Sequence, residues 1–553
     1  MEKFVSWWKQ DKRYDLLLKT VLIGLLPLLC CLVTCISQGK GIGDVYLPMS
    51  EWNDELFYFK QVEGIVNFGY PQGYFGFNES HALKLSFAAW SPVLVFPWIL
   101  WGLLFGWNLM SPILCNLFLL TLAVVLFMVL VRPTWKQTGI LALLFCLYTP
   151  FSRYMLSGMP EVICFSMLII FYALAVSYLE KETWGKLVWM LVLSGLLVLM
   201  RPYMLLFMLL PIFFWIRKSK WKGVLGSFAV LAFVGGIYVL IKHYLGAEYF
   251  TPLFFTDWIT TFFTEGIGAG VHNFFSKLYW MGKAFLQHTV EGFRSGLASG
   301  AFFGGYLVVM AVLLWQTFAD FRKLHGKPGK GRANEDRADD RQADNRRTGD
   351  GKVDAKRKKR LIIEGHLAFC FVGMLFALLL MYKLTEGSKH LLTFMAVGVF
   401  VISLMETKFY KKAVLVGAVF AYLYTFMAVE PYDYQVPFAE EGRQEQLALW
   451  SEAFEEELVL REEQVPNYEN VVIWVLGDLV DGKNVAAEWQ VLYALPEGFG
   501  ISCCEMAYVT EHFDTLQSRY IATPSGGTVD EMCLEAGYLE IYRDKDMVCY
   551  VRG

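Results

Sequence analysis

Charge is scarce in this chain. Only 18% of its 553 residues are Asp, Glu, Lys or Arg, against 56% hydrophobic and 16% aromatic. A soluble core cannot hide that much apolar surface, so the composition excludes a soluble protein. The apolar run after the basic N-terminus "MEKFVSWWKQDKRYD" has no small-residue cleavage site, which excludes a removed signal peptide in favour of a retained signal anchor. The polar C-terminal region lacks a nucleophile elbow, a phosphate loop and a metal-binding histidine pair. The cysteines match no zinc spacing. Most of them, such as Cys30, Cys31 and Cys35, sit inside apolar runs as small hydrophobes. Cys503, Cys504, Cys533 and Cys549 lie in the polar region, and are the disulfide candidates if it faces an oxidising space. No convincing internal repeat is present.

What the chain does have is a series of apolar runs separated by segregated charge. The net charge of −3 predicts no partner, but Lys and Arg cluster between runs at the N-terminus, 131–136, 180–186, 217–222, 322–360 and 408–412. Basic short loops mark the cytoplasmic side. Spans then fall near 16–36, 111–131, 138–156, 162–179, 187–201, 203–216, 224–244, 300–318, 362–382, 391–405 and 412–429, about eleven crossings by the length rule. The run 87–106, "FAAWSPVLVFPWILWGLLFG", would invert every later loop if it crossed. Pro92, Pro97, Trp90, Trp98 and Trp101 suit an interfacial or re-entrant helix there; the alternative is an ordinary span, with the charge rule broken elsewhere.

The expected architecture is an all-α polytopic membrane domain over 1–429, followed by a small extracytoplasmic α/β domain over 430–553. Outer loops would cover 37–110 and 245–299, the second mixing aromatics with isolated charges as surface amphipathic helices do. The segment 322–360 is nearly devoid of apolar residues and reads as a disordered cytoplasmic linker. Its basic end is a topology determinant, not a nucleic-acid site. After 430, the charged helical stretch 440–463 is followed by β-rich runs at 469–476, 489–495, 518–524 and 538–552.

The stretch "LPMSEWNDELFYFKQ" carries the chemistry. A helix starting near Ser50 puts Glu51, Asp54, Glu55 and Tyr58 on one face. Acidic residues also favour the first turn of any helix through its macrodipole, so one acidic pair alone does not prove a site. Glu161 adds to it at an outer helix start between apolar spans, where an ionisable group is expensive unless paired or used. Arg153, Arg201, Lys389 and His390 reach the same boundary; snorkelling cations and a capping Glu161 are the plainer explanations.

The order of "NDELFY", "SPVLVFPWILWGLLFG", "VRPTWK", "SRYMLSGMPE", "LVLMRPYMLL" and "SKHLLTF" resembles the GT-C superfamily of membrane glycosyltransferases, including the protein mannosyltransferases and the aminoarabinose transferase-like bacterial members. The chain departs from that pattern in having Glu161 where Asp is frequent, Lys389 and His390 in place of Arg and Tyr, and "SPVL" for paired prolines. The resemblance implies a GT-C-like fold in the plasma membrane, N-terminus cytoplasmic and C-terminus outside. It also implies a polyprenyl-phosphate sugar donor and transfer with inversion to a lipid, cell-wall polymer or protein acceptor. By the same resemblance Asp54 matches the catalytic acid of an Asp-Glu pair, with Glu55 and Glu161 beside it and Arg201, Lys389, His390 and Arg153 around the donor phosphate. No metal ligands are assigned, and dependence on a divalent cation is open. A lipid or solute transporter or flippase, or a non-catalytic scaffold presenting the C-terminal domain, are the competing classes.

Overall fold

The computed structural model describes residues 12–69, 71, 76–82, 87, 91–147, 150–250, 255–295, 298–325, 340–382, 388–404, 435–460, 484–496 and 499–553. Among the described residues seven helices are long and apolar enough to cross a membrane: Tyr14–Ile36, Ser111–Val131, Glu161–Glu180, Pro202–Ser219, Trp221–Leu245, Phe303–His325 and Arg357–Met381. Shorter apolar helices span Phe96–Phe105, Trp184–Met200 and His390–Ser403. The chain is a mostly helical, multi-pass membrane protein with a mixed-sheet domain at its C-terminal end. The span expected at 412–429 lies outside the described residues. That expected at 138–156 is two helices, Trp135–Leu147 and Pro150–Met155, the second opened by a proline that a helix interior would not accept.

Glu161–Glu180 is the centre of the bundle. Burial covers 78% of its apolar window, against 11% for Trp221–Leu245 at the periphery. Its sequence explains this, since it is apolar all round, and small residues such as Ser166, Ala173 and Ala175 let neighbours approach. Ser111–Val131, Trp184–Met200 and Ser388–Ser403 pack around it.

The run 87–106 contains only a ten-residue helix, Phe96–Phe105, about 15 Å long and half a hydrocarbon core. Trp98 is fully buried in the protein, where its indole N–H donates to Oδ1 of Asn116 at 3.1 Å. Trp90 lies outside the described residues.

The loop 245–299 contains the helices Asp257–Thr264 and Ile267–Ser295, with Phe263, Ile267, Phe275, Tyr279, Trp280 and Leu286 exposed. The linker expected to be disordered is helical where described, in Ala298–His325 and Asp340–Met381; residues 326–339 lie outside the described residues. Lack of apolar side chains prevents a core but not a helix, and the Ala, Arg, Lys and Gln of this segment are good helix formers. Arg360 also crosses from one helix to the other to reach Asp320 at 2.7 Å.

The C-terminal domain is a five-stranded sheet in the order β4-β3-β5-β7-β6, where β3 is Asn484–Ala487, β4 Gly500–Cys503, β5 Tyr520–Pro524, β6 Leu539–Arg543 and β7 Met547–Val551. The first three strands are parallel, and β6 and β7 join antiparallel. Strands β3 and β7 are buried throughout and β6 is the exposed edge. The run 489–495 is not a strand: Trp489–Leu492 is a short helix, serving the crossover that parallel β3 and β4 require. The run 469–476 lies outside the described residues. All eleven cysteines are free thiols.

Hydrogen bonds fix this domain to the segment between the first two membrane-length helices. Asn78 and Glu79 adopt left-handed backbone, φ 47° and 48°, a costly conformation for such residues. Docking compensates. Glu79 accepts from Ser518 Oγ at 2.6 Å, Gln517 N at 2.9 Å and Ser518 N at 3.0 Å, while Asn78 Oδ1 accepts from Glu505 N at 3.0 Å. Trp489 Nε1 donates to Ser50 O and Lys60 Nζ to Leu495 O, each at 2.7 Å. Immediately after the hook, β1 (His81–Ala82) pairs with β2 (Glu248–Tyr249).

Glu79→Ala leaves those buried donors unsatisfied and should cost about 1–3 kcal/mol, read as a lower apparent Tm of the purified protein; Glu79→Gln, which keeps one acceptor oxygen, should lose less. An unchanged Tm for Glu79→Ala would show that the hook does not hold the domain.

Candidate active site

The acidic stretch forms the helix Asp54–Phe68, with Asp54 and Glu55 in its first turn and Gly69 ending it at φ 83°. Glu51 precedes the helix and is exposed, so it leaves the face that its spacing had suggested. The adjacent acids have opposite surroundings: Asp54 is partly exposed, while Glu55 is fully buried. Glu55 lies 3.8 Å from Arg153 Nη1. Arg153 also donates to Ser50 Oγ at 3.2 Å and stacks 3.7 Å over the Trp52 ring. The structure thus brings Arg153 to the acidic helix rather than to Arg201. Gly158 packs closely against this helix, since a Cβ there would stand 3.2 Å from that of Glu55 and 3.3 Å from Leu47 Cδ1. Burial pushes the Glu55 carboxyl up to about 7, with Arg153, Ser50 and the Gly158 backbone offsetting it only in part.

The second group begins with an Arg-Pro break. Pro202 disfavours helical backbone at the residue before it, and Arg201 is extended, φ −147°, between Trp184–Met200 and the short turn Pro202–Met204. Its guanidinium is fully buried and donates to Glu161 Oε1 at 2.5 Å, His390 Nδ1 at 2.7 Å and the Tyr203 hydroxyl at 3.1 Å. Glu161 is placed by the turn before its helix, which Asn116 braces by donating to Ser157 O at 3.2 Å. Because arginine only donates, His390 Nδ1 is an acceptor, so Nε2 carries the proton toward the Tyr382 hydroxyl at 2.8 Å. His390 is therefore a neutral imidazole that orients Arg201, and supplies no charge of its own. The side chain of Lys389 lies outside the described residues.

Tyr58 joins the groups. It is buried one turn after Asp54, and its phenol, pushed well above its usual value by burial, feels Asp54, Arg201, Glu161 and Tyr382 together. Two carboxylates and a buried cation thus converge where the acidic helix meets the bundle. Asp54 also acts on His81. Sequence reasoning missed Tyr203, Tyr382 and His81, although Tyr203 stands within the quoted Arg-Pro motif and His81 within the segment 37–110 expected as an outer loop. Among the described residues no three of His, Cys, Asp and Glu gather as a ligand set for a metal ion.

No family model matches this chain, and no curated protein matches it. Among solved structures it is similar to ArnT from Cupriavidus metallidurans in the apo state, with TM-score 0.37 and 10% identity over 96% of this chain and 97% of that one. It is also similar to the same protein bound to undecaprenyl phosphate, with TM-score 0.38 and 11% identity over the same 96% and 97%. The functional reading rests on the motifs and the site's geometry, not on this likeness.

Glu55 predicts a pH signature. The folded carboxyl holds its proton up to about 7, whereas the ordinary value is 4.5, so its stabilising contribution is present at low pH and lost as pH rises between those values. The apparent Tm of the wild type relative to Glu55→Gln should therefore fall from about pH 5 to about pH 7 and level off above. A difference that grows with pH would mean that Arg153 holds Glu55 ionised.

Proposed function

We propose that this protein is an inverting glycosyltransferase, moving a sugar from a polyprenyl-phosphate donor to an acceptor hydroxyl outside the membrane. The observation that carries this is the convergence of Asp54, Glu161 and Arg201 around Tyr58, on residues that match the GT-C motifs. Burial divides the acids. Glu55 and Glu161 are enclosed against arginines, so Asp54, partly exposed, is the carboxylate that an acceptor can reach.

In the proposed reaction Asp54 takes the proton of the acceptor hydroxyl as its oxygen attacks the anomeric carbon, a role that contributes about 10² to 10⁴ in rate. The new glycosidic bond forms opposite the breaking carbon–oxygen bond, whose electron pair leaves with the polyprenyl phosphate. Positive charge stabilises that leaving group. Arg201, buried and oriented by Glu161 and His390, acts on it in this reading through its field from inside the bundle, with Lys389; Arg153 holds the acidic helix. A lipid-borne donor also accounts for a site built against a membrane bundle. The acceptor, whether lipid, cell-wall polymer or protein, is not chosen by the fold.

Asp54→Asn should cut transfer of labelled sugar by purified protein far more than it weakens donor binding. Undiminished transfer by a folded variant would remove Asp54 from the mechanism. Arg201→Lys should keep only part of wild-type donor use, because an ammonium lacks the planar fork that holds Glu161 and His390 at once.

In this reading the segment 322–360 lies in the cytoplasm and the domain after 430 outside. Cysteines introduced into each and labelled in intact cells should react in the C-terminal domain alone. The opposite pattern would place Asp54 on the wrong side for the proposed reaction.

A further inference from the structure

His81 has no part in the ion pairs described above, yet it is built into their neighbourhood. Its side chain is 7% exposed. Nδ1 lies 3.0 Å from Ser80 Oγ, and the ring stacks on Tyr249, centroids 4.2 Å apart and 15° from parallel. Gly76 closes one edge, where a Cβ would stand 1.8 Å from the imidazole. The ring is therefore held on several sides. Nε2, in contrast, is buried and has no hydrogen-bond partner among the described residues. A buried ring nitrogen left unpaired costs free energy, and a hydroxyl-bearing ligand would relieve it. The His81 ring centroid lies 6.3 Å from that of Phe57, which follows Asp54 on the acidic helix, and Asp54 acts on the imidazole, so the unpaired nitrogen belongs to the surroundings of that acid.

We propose that His81 is a further substrate-binding residue of this site, its Nε2 hydrogen-bonding the acceptor hydroxyl group that Asp54 deprotonates or a hydroxyl next to it. The inference rests on the glycosyltransferase reading and deepens it by giving the acceptor a second contact. His81 is not the base: burial lowers its imidazole to about 4, so it is neutral at physiological pH and serves by direction rather than by proton transfer. Its position is coupled to the C-terminal domain, because Glu79, two residues earlier, is the hook that the sheet holds.

Paired amide substitutions separate the two ring nitrogens, since glutamine places its amide near the Nε2 position and asparagine near Nδ1. Full-length protein is assayed with labelled polyprenyl-phosphate sugar and a membrane extract as acceptor source, with apparent Tm followed in parallel. His81→Gln should keep most of the transfer, while His81→Asn should lose about twofold to thirteenfold, the size of one net hydrogen bond. The loss should appear in the dependence on acceptor concentration and not on donor. Should His81→Asn fail to fold, His81→Phe keeps the stack on Tyr249, removes both nitrogens and carries the same forecast. His81→Gln should leave the pH profile of transfer unchanged, and loss of one limb would overturn the inference by making His81 an acid or base. Full transfer by folded His81→Asn or His81→Phe, or a loss confined to donor dependence, would overturn it while the glycosyltransferase reading stands. A wild-type protein that transfers no sugar would sink both.

Discussion

Two opposite charges with no access to water hold the centre of this molecule together. Glu161 and Arg201 are both fully buried and meet at 2.5 Å, and each would be left uncompensated in a low-dielectric interior without the other, a loss of about 3–5 kcal/mol when such a pair is broken. That requirement organises the surroundings. Pro202 breaks the helix where the guanidinium must turn inward, the turn at 157–160 sets Glu161 at the start of the most buried helix, and His390 and Tyr203 take the remaining direction of Arg201. A buried pair of this kind is weak evidence for stability by itself. Its value here is placement, because it fixes a cation beside the acidic helix.

The acidic helix is held from its other side by the C-terminal sheet. Ser50, Lys60, Asn78 and Glu79 all bond to that domain, while Glu55 faces Arg153 at 3.8 Å. Asp54 lies between these two sets of contacts. Adjacent carboxylates thereby acquire different surroundings: one enclosed and proton-retaining near neutral pH, the other partly exposed. The C-terminal domain accordingly acts as part of the site's scaffold.

Much of this was legible from residue patterns. Long apolar runs announce themselves by length, and the alternating runs at 518–524 and 538–552 became β5 and the β6–β7 pair because each strand's pattern needs only its neighbours. The acidic pair was legible because charge is rare in such a chain. What escaped depended on partners distant in sequence. The sequence around Trp98 did not show its buried acceptor, Asn116, and Trp489–Leu492 looked like a strand because its β-favouring composition said nothing of the crossover above it. Arg153 and Arg201 are indistinguishable in sequence, yet one serves Glu55 and the other Glu161. The charge state of His390 could not be read at all, since it follows from which atom of Arg201 faces which ring nitrogen. At 322–360 low apolar content argues against a core and is silent about a helix, and the helix Asp340–Met381 takes up part of that segment.

The account's central claim is that a lipid-borne sugar meets Asp54 beside the Arg201 pair. An experimental structure with a non-transferable polyprenyl-phosphate sugar bound tests it most directly. The account predicts that the anomeric carbon lies between Asp54 and the phosphate, with Arg201 on the phosphate side and the polyprenyl chain along the bundle. A sugar phosphate bound away from both Asp54 and Arg201 would contradict it.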